Sequence, residues 1–292
     1  MAQRPILIAG PTASGKSELA VTLAERHGGI VINADSMQVY RELAILTARP
    51  DAEDEARVRH ALYGHVAARE AYSVGRWLED VRRTLEQARI ENRRPIIVGG
   101  TGLYFRALLE GLSPVPAIPD DIRAHWRSEA VRLGAAGLHA VLVGKDAEMA
   151  ARLRPTDPQR ITRALEVLEA TGLSLAAWQT RSGTPLLVAD ETERLLVLQD
   201  RQELFARCDT RFDGMLMAGG LEEARRLLAL DLDPMLPAMR AVGVRPLLLM
   251  LSGQLDETEA IARAKQDTRH YVRRQLTWIN RHMSAWQRYI QQ

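Results

Sequence analysis

An α/β fold, with a parallel sheet flanked by helices and an all-helical insertion domain, is what this 292-residue sequence predicts. Three observations carry that expectation. Gly10-Pro11-Thr12-Ala13-Ser14-Gly15-Lys16-Ser17 stands between an apolar run, Ile6-Leu7-Ile8-Ala9, and a pattern in which Leu19 and Leu23 share a helical face. Further on, apolar runs alternate with helical stretches, as strands and crossover helices do in a parallel sheet. After Gly111 a proline-rich stretch gives way to purely helical periodicity.

The first element is the most informative. Gly, four residues, then Gly-Lys-Ser, placed after a strand and opening a helix, is the context of a phosphate-binding P-loop, so the core is expected to be P-loop NTPase-like. The glycines let successive N–H groups turn inward, and the helix N-terminus adds partial positive charge. Lys16 supplies a point charge for the terminal phosphates, and the Ser17 hydroxyl can ligate Mg2+. The motif announces a phosphate-bearing ligand without saying what happens to it.

A second strand is expected at Ile30-Val31-Ile32-Asn33, running into Asp35-Ser36-Met37-Gln38. A third is expected at Pro95-Ile96-Ile97-Val98, leading into Gly99-Gly100-Thr101-Gly102. Between them, residues 74–90 carry Leu78, Val81 and Leu85 at helical spacing. Ligands of such sheets gather outside the carboxyl ends of the strands, so the P-loop, Asp35 and Thr101 should meet in one crevice. Two roles are open to Asp35, as an acidic partner of Mg2+ or as a general base, beside the plain role of a helix cap. Thr101 among glycines suggests close backbone approach to a ligand, or simply a tight turn.

Pro114, Pro116 and Pro119 form a hinge that neither helix nor central strand can cross. Helical patterns follow at residues 123–133 and 138–153. A third opens after Thr156, with Asp157 as N-cap and Pro158 at the first helical position. It carries Ile161, Leu165 and Leu168 inward and sets Arg160 and Arg163 on neighbouring turns. The expected division is therefore a core of residues 1–113 and 190–292, and an insertion of residues 114–189. A strand at Leu195-Leu196-Val197-Leu198 returns the chain to the sheet, and helices are expected at 202–218, 221–230 and 246–252. A long last helix is expected to carry Val272, Leu276, Ile279, Met283, Trp286 and Ile290 as one apolar stripe. Arg207 and Arg211 lie at i and i+4 in the first of these helices, suited to clamping a phosphate or to lying on a solvated face.

Composition excludes several classes. Hydrophobic residues at 46% and charged residues at 26% are those of a globular chain. No run of about 18 apolar residues is present, which argues against membrane insertion. The single cysteine, Cys208, rules out an internal disulfide and a cysteine zinc site, and suits a cytoplasmic location. The seven histidines show no metal-like spacing; His60 and His65 read as structural or surface residues. Net charge is only +2, yet after Asp267 every charged side chain is basic, leaving a local cationic face for a polyanion.

Taken together, the ordered stretches resemble the tRNA dimethylallyltransferases, also called tRNA isopentenylpyrophosphate transferases. The resemblance rests on the P-loop, Asp35-Ser36-Met37-Gln38-Val39-Tyr40, Gly99-Gly100-Thr101-Gly102-Leu103-Tyr104 and Asp157-Pro158-Gln159-Arg160-Ile161-Thr162-Arg163-Ala164-Leu165-Glu166. It continues with Arg240-Ala241-Val242-Gly243-Val244-Arg245 and Arg273-Arg274-Gln275-Leu276-Thr277-Trp278. It implies transfer of a dimethylallyl group from dimethylallyl diphosphate to N6 of the adenosine immediately 3′ of a tRNA anticodon, in tRNAs reading codons that begin with U. Residues Gly10 to Ser17 would then hold the diphosphate, with Mg2+ on Ser17. Asp35 would be the general base, and Lys16, Thr101 and Arg211 would stabilise the leaving group.

The same resemblance implies that the anticodon stem-loop meets Asp35, Ser36, Met37, Gln38, Thr101, Arg123, Gln159, Arg160, Ile161, Thr162 and Arg163. It adds Arg240 to Arg245 (Arg240, Ala241, Val242, Gly243, Val244, Arg245) and the run Arg273, Arg274, Gln275, Leu276, Thr277, Trp278, Ile279 and Asn280. A monomer is expected. Three stretches depart from the family's pattern. Its Gly-Thr-Ala-Lys-Pro is here Leu46-Thr47-Ala48-Arg49-Pro50, and a His-His-Leu-Ile-Asp-like stretch is His60-Ala61-Leu62-Tyr63-Gly64. The late Gly-Tyr-Arg reads Gly243-Val244-Arg245. Two rivals stand beside this reading: a P-loop kinase using ATP and Mg2+, and a tRNA-binding module without catalysis.

Overall fold

The protein is described from a computed structural model over residues 3–289. Its first strand, β1 (Ile6–Ala9), is followed by α1 (Lys16–His27), β2 (Gly29–Asn33), α2 (Ala52–Arg57), β3 (Arg59–Ala61), α3 (Val74–Ile90), β4 (Arg94–Gly99) and α4 (Gly102–Glu110). Four helices come next: α5 (Asp120–Lys145), α6 (Ala147–Arg152), α7 (Pro158–Thr171) and α8 (Leu175–Gln179). The chain then adds β5 (Glu193–Val197), α9 (Arg201–Met215), α10 (Leu221–Ala229), α11 (Val244–Leu251), α12 (Glu257–His282) and β6 (Gln287–Tyr289).

The strands form one sheet in the order β3-β2-β4-β1-β5-β6, and every pairing is parallel. Burial on both faces explains why β1, β2 and β4 read as nearly unbroken apolar runs. Leu7, Ile30, Ile32 and Ile97 pack on one side with Trp77 and Val81 of α3 and Phe105 and Leu108 of α4. Ile6, Ile8, Val31, Ile96 and Val98 pack on the other with Leu19, Ala20 and Ala24 of α1. The period-two alternation along each strand thus feeds two separate layers. Among the described residues, no helix is long and apolar enough to cross a membrane.

Contacts divide the chain into two compact units, Met1–Leu109 with Leu186–Gln292, and Glu110–Pro185. The second unit is helical. Trp126, Leu138 and Leu142 of α5 pack with Met149 of α6 and Ile161 and Leu165 of α7. Asp157 caps α7 by accepting from the Arg160 N–H at 3.1 Å, and Pro158 opens the helix. The first unit resumes at Leu186 and Leu187, whose N–H groups both donate to the Leu108 carbonyl at 3.0 and 3.1 Å.

Two strands escape the sequence pattern, β3 and β6, each of three residues at a sheet edge. The last apolar stripe is also not one helix. α12 ends at His282, where the Met283 N–H closes onto the Ile279 carbonyl at 2.8 Å. Met283 and Trp286 are buried beyond the helix end, with the Trp286 ring edge-on to Phe105 at 5.4 Å between centroids, and the chain then pairs with β5. The cause is tertiary: β5 would otherwise expose an unpaired edge. Ile290 lies outside the described residues.

Candidate active site at the carboxyl ends of the strands

β1, β2 and β4 are adjacent and parallel, so the loops leaving their carboxyl ends come out side by side. The loop after β1 carries residues 10–15. It turns at Gly15, whose φ of 88° suits a residue without a Cβ, and hands the chain to α1 at Lys16. Lys16 Nζ donates to the Pro11 carbonyl at 3.1 Å. Burial lowers its pKa to about 8; Asp35 pushes the other way, and the Arg211 charge adds to the lowering. Ser14 is fully buried, and its hydroxyl has no hydrogen-bond partner among the described residues. A cavity of about 520 Å³ opens here, lined by residues 13–18 and by Ala206, Arg207, Thr210 and Arg211 of α9.

Helix α9 brings its cations to this cavity through their i, i+4 spacing. The Arg211 guanidinium donates to the Thr12 hydroxyl, and burial lowers its pKa. Arg207 donates to Gln199 Oε1 at 2.6 Å and lies 3.8 Å from the Glu203 carboxylate. Buried Cys208 packs with Leu204 of α9 and Val272 of α12, its Sγ 4.0 Å from the Thr12 carbonyl, and burial raises its thiol pKa.

The loop after β2 holds Asp35. Its N–H donates to the buried Asn33 Oδ1 at 2.7 Å, and its own Oδ1 accepts from the Met37 N–H at 2.9 Å. Asn33 is in turn fixed by Trp77, whose indole N–H donates to its carbonyl at 2.8 Å. The loop after β4 holds Thr101, whose N–H donates to the Ala34 carbonyl at 3.2 Å. Thr101 Oγ1 accepts from the Ser36 N–H at 3.0 Å, so the two loops are stitched into one surface. Lys16, Asp35, Thr101 and Arg211 are thereby gathered in the first unit, with Lys16 feeling the charges of both Asp35 and Arg211.

The residues named by resemblance for tRNA scatter differently. Ser36, Met37 and Gln38 are half-buried beside Asp35, and Gln38 Nε2 donates to the Thr47 and Ala48 carbonyls at 2.9 and 2.8 Å. On α12, Arg273, Arg274, Thr277 and Asn280 are exposed, Leu276 and Trp278 are half-buried, and Gln275 and Ile279 are buried. Between residues 240 and 245, Arg240 and Arg245 are exposed and Val242 is half-buried, while Ala241, Gly243 and Val244 face the core. The second unit holds Arg123, half-buried on α5, with Gln159 and Arg160 exposed and Arg163 half-buried on α7, where Ile161 and Thr162 are buried. The side chains of Ile161, Thr162, Ala241, Val244 and Ile279 therefore belong to the packing of the protein, and that of Gln275 is turned inward as well.

Two further residues join the site. Tyr271 stands one helical turn before Gln275, with Thr101 and Gln275 as hydrogen-bond partners; burial first, and then Asp35, raises its phenol pKa. Glu223 of α10 is buried and accepts from three consecutive N–H groups, Ala44 at 2.8 Å, Ile45 at 2.9 Å and Leu46 at 2.8 Å, which fixes the loop against which Gln38 is held. Helical phase was the available signal for Tyr271. For Glu223 there was none.

The site can hold a phosphate-bearing ligand at the head of α1 and present a carboxylate from the neighbouring loop. The sequence pattern of the IPP transferase family matches residues 38–282, and that of isopentenyl transferase matches residues 4–63. The tRNA dimethylallyltransferase of Mesorhizobium japonicum is 55% identical over 285 residues, 97% of this chain and 88% of that one. Its counterpart in Nitrobacter hamburgensis is 54% identical over 94% of this chain and 86% of its own. Among solved structures, the full-length tRNA isopentenylpyrophosphate transferase of Bacillus halodurans matches 98% of this chain and 89% of its own at 30% identity, with a TM-score of 0.70. A eukaryotic dimethylallyltransferase acting on tRNA matches 95% of this chain and 70% of its own at 28% identity, with a TM-score of 0.79.

Proposed function

Since the chain belongs to the IPP transferase family, we propose that it acts as a tRNA dimethylallyltransferase. The donor is dimethylallyl diphosphate, and the acceptor is N6 of the adenosine immediately 3′ of the anticodon in tRNAs reading codons that begin with U. The observation that carries the proposal is the juxtaposition, in one unit, of a P-loop cradle with Lys16 and Arg211 and a loop-held Asp35 carboxylate.

In the reaction the N6–C1 bond forms as the C1–O bond breaks, and the bonding pair leaves with pyrophosphate. Asp35 Oδ1 is occupied by the Met37 N–H, so Oδ2 is the oxygen assigned to take the N6 proton. The turn bond also fixes the carboxylate plane before substrate arrives. Charge grows on the departing pyrophosphate, which is where the cradle N–H groups, Lys16, Thr101 and Arg211 act most strongly. Ser17, exposed on the cavity wall, offers the hard oxygen that Mg2+ prefers, and the buried Ser14 hydroxyl lines the same cavity. When bound there, Mg2+ would neutralise charge on the diphosphate.

The acceptor adenosine must leave its stack to be reached. The exposed Arg240, Arg245, Arg273, Arg274, Arg160 and Gln159, with the half-buried Arg123 and Arg163, are assigned to the anticodon stem-loop, mainly through phosphate and shape. A cytoplasmic location follows from that substrate. The test is incubation with labelled dimethylallyl diphosphate or labelled ATP and an unmodified tRNA bearing adenosine after its anticodon. Prenyl label in tRNA is expected. Phosphate transfer to a small acceptor without prenylation would establish a kinase instead, and binding without transfer a tRNA-binding module.

A further inference from the structure

Gln275 belongs to a basic stretch that resembles tRNA-contacting sequence, yet its side chain is only 6% exposed. Its Oε1 accepts from the Thr12 N–H at 3.0 Å, and its Nε2 donates to the Gly100 carbonyl at 3.0 Å. The two partners lie in the loops after β1 and β4, adjacent strands paired at Ala9 and Gly99. One amide therefore spans the gap between the phosphate cradle and the Gly99–Thr101 turn. The fit is close: a Cβ on Gly100 would overlap the amide nitrogen.

Each end of this bridge leads to reacting groups. At Thr12 the hydroxyl is already engaged by Arg211, so the Gln275 bond fixes the residue that holds the arginine. Next to Gly100, Thr101 is tied to Ala34 and Ser36 on either side of Asp35. The bridge requires an acceptor and a donor in one side chain of this length. Glutamate lacks the donor and asparagine the reach.

We propose that Gln275 is a positioning residue that sets the distance between the diphosphate end and the acceptor end of the site, and that it does not contact tRNA. The proposal rests on the prenyl-transfer reading above. It acts through geometry: a misplacement of about 1 Å between reacting groups costs on the order of a hundredfold in rate.

Gln275→Met and Gln275→Glu separate this role from the alternatives. Methionine keeps the length and removes both bonds, whereas glutamate keeps the acceptor for Thr12 and loses the donor for Gly100. Four quantities are measured: the single-turnover rate at saturating donor and tRNA, the tRNA Kd at two salt concentrations, thermal stability, and native-state hydrogen exchange at the Thr12 amide. Both variants are expected to lose roughly ten- to a hundredfold in single-turnover rate, with tRNA Kd within about twofold and its salt dependence unchanged. Exchange at Thr12 should accelerate in Gln275→Met and stay near wild type in Gln275→Glu.

A tRNA Kd weakened tenfold with the rate retained would overturn the proposal, as would unchanged Thr12 exchange in Gln275→Met. Parallel loss of rate and stability, alike in both variants, would reduce Gln275 to packing. Should Gln275→Met not fold, Gln275→Glu still decides through rate against tRNA affinity. Should the wild-type protein prenylate no tRNA, the functional reading falls, while Thr12 exchange still tells whether Gln275 holds the cradle.

Discussion

Raising the pH from 7 to 9.5 should loosen the grip on the allylic diphosphate through a single group, Lys16. Its ammonium titrates at about 8 in this structure, chiefly because it is buried, with Arg211 adding to the lowering and Asp35 opposing it. A bound diphosphate places negative charge beside it and raises the pKa again. The direction follows. At pH 7 and below at least about ten in eleven of the lysines are already charged, little proton uptake accompanies binding, and affinity is nearly flat. Above pH 8 the free protein holds a neutral amine, so binding must take up a proton, and apparent affinity falls with the charged fraction. At one unit above 8 that fraction is about one in eleven, so Kd should rise about elevenfold; at pH 9.5 the rise approaches thirtyfold. Isothermal titration with a non-reactive thiodiphosphate analogue, in two buffers of different ionisation enthalpy, reads both Kd and the proton taken up. Lys16→Arg, which stays charged throughout, should bind more weakly at pH 7 but show no step. A wild-type Kd constant within twofold from pH 7 to 9.5, with no proton uptake at pH 9, would refute the argument.

Three further outcomes are expected. Asp35→Asn should lower the single-turnover rate by roughly 10²- to 10⁴-fold while leaving tRNA affinity unchanged; a rate within tenfold of wild type would remove Asp35 from the base role. Glu223→Gln keeps the shape but puts an amide N–H₂ against at least one of the three backbone N–H groups of Ala44, Ile45 and Leu46. Loss of one charge-assisted bond of this kind costs about 1.5–3 kcal/mol, and calorimetry should show a clear drop in Tm; an unchanged Tm would mean that the loop holds itself. Affinity for tRNA should fall steeply and log-linearly with salt, and Arg245→Gln or Arg160→Gln should each reduce the slope by about one. Wild-type slopes in both variants would leave those arginines without a phosphate partner.

How much of this was legible beforehand depends on whether a feature is local. The P-loop, the turn after β2 and the turn after β4 each announce themselves within a few residues, because the strand, the glycines and the helix start are all in one stretch. Strands β3 and β6, by contrast, read Arg59-His60-Ala61 and Gln287-Arg288-Tyr289, with no apolar run; only pairing with β2 and β5 makes them strands. The apolar spacing continued through Met283 and Trp286 although the helix ends at His282, because both side chains are buried by the fold and not by helical phase. Gln275 shows what phase can yield. It lies three residues after Val272 and four before Ile279, on the buried face of α12, so its inward direction was readable where its partners were not. Those partners, Thr12 and Gly100, are 263 and 175 residues away.

The departures from the family's pattern take on a different meaning once they are seen in space. Two of them meet. Arg49 Nη1 donates to the Tyr40 and Arg41 carbonyls at 3.3 and 3.4 Å, and a Cβ placed on Gly64 would overlap that same guanidinium. Gly64, at a φ of 54°, in turn donates its N–H to the Gln38 carbonyl at 3.0 Å. Where the family's pattern has a lysine and an acidic residue at these two places, this chain has a longer cation and no side chain at all, so the guanidinium occupies volume that a side chain at Gly64 would claim. The two changes are one exchange of volume, made without loosening the turn that carries Gln38. Val244 departs in another way. It is fully buried at the start of α11, so the aromatic it replaces would, on this backbone, point into the core and not toward a base. Arg49, Gly64 and Val244 are therefore changes in how the scaffold packs, whereas Leu62 and Tyr63 reach the proposed base. The Leu62 carbonyl accepts from Asn33 Nδ2 at 3.0 Å, the same side chain whose Oδ1 holds the Asp35 N–H. Burial first, and then the Asp35 charge, raises the Tyr63 phenol pKa.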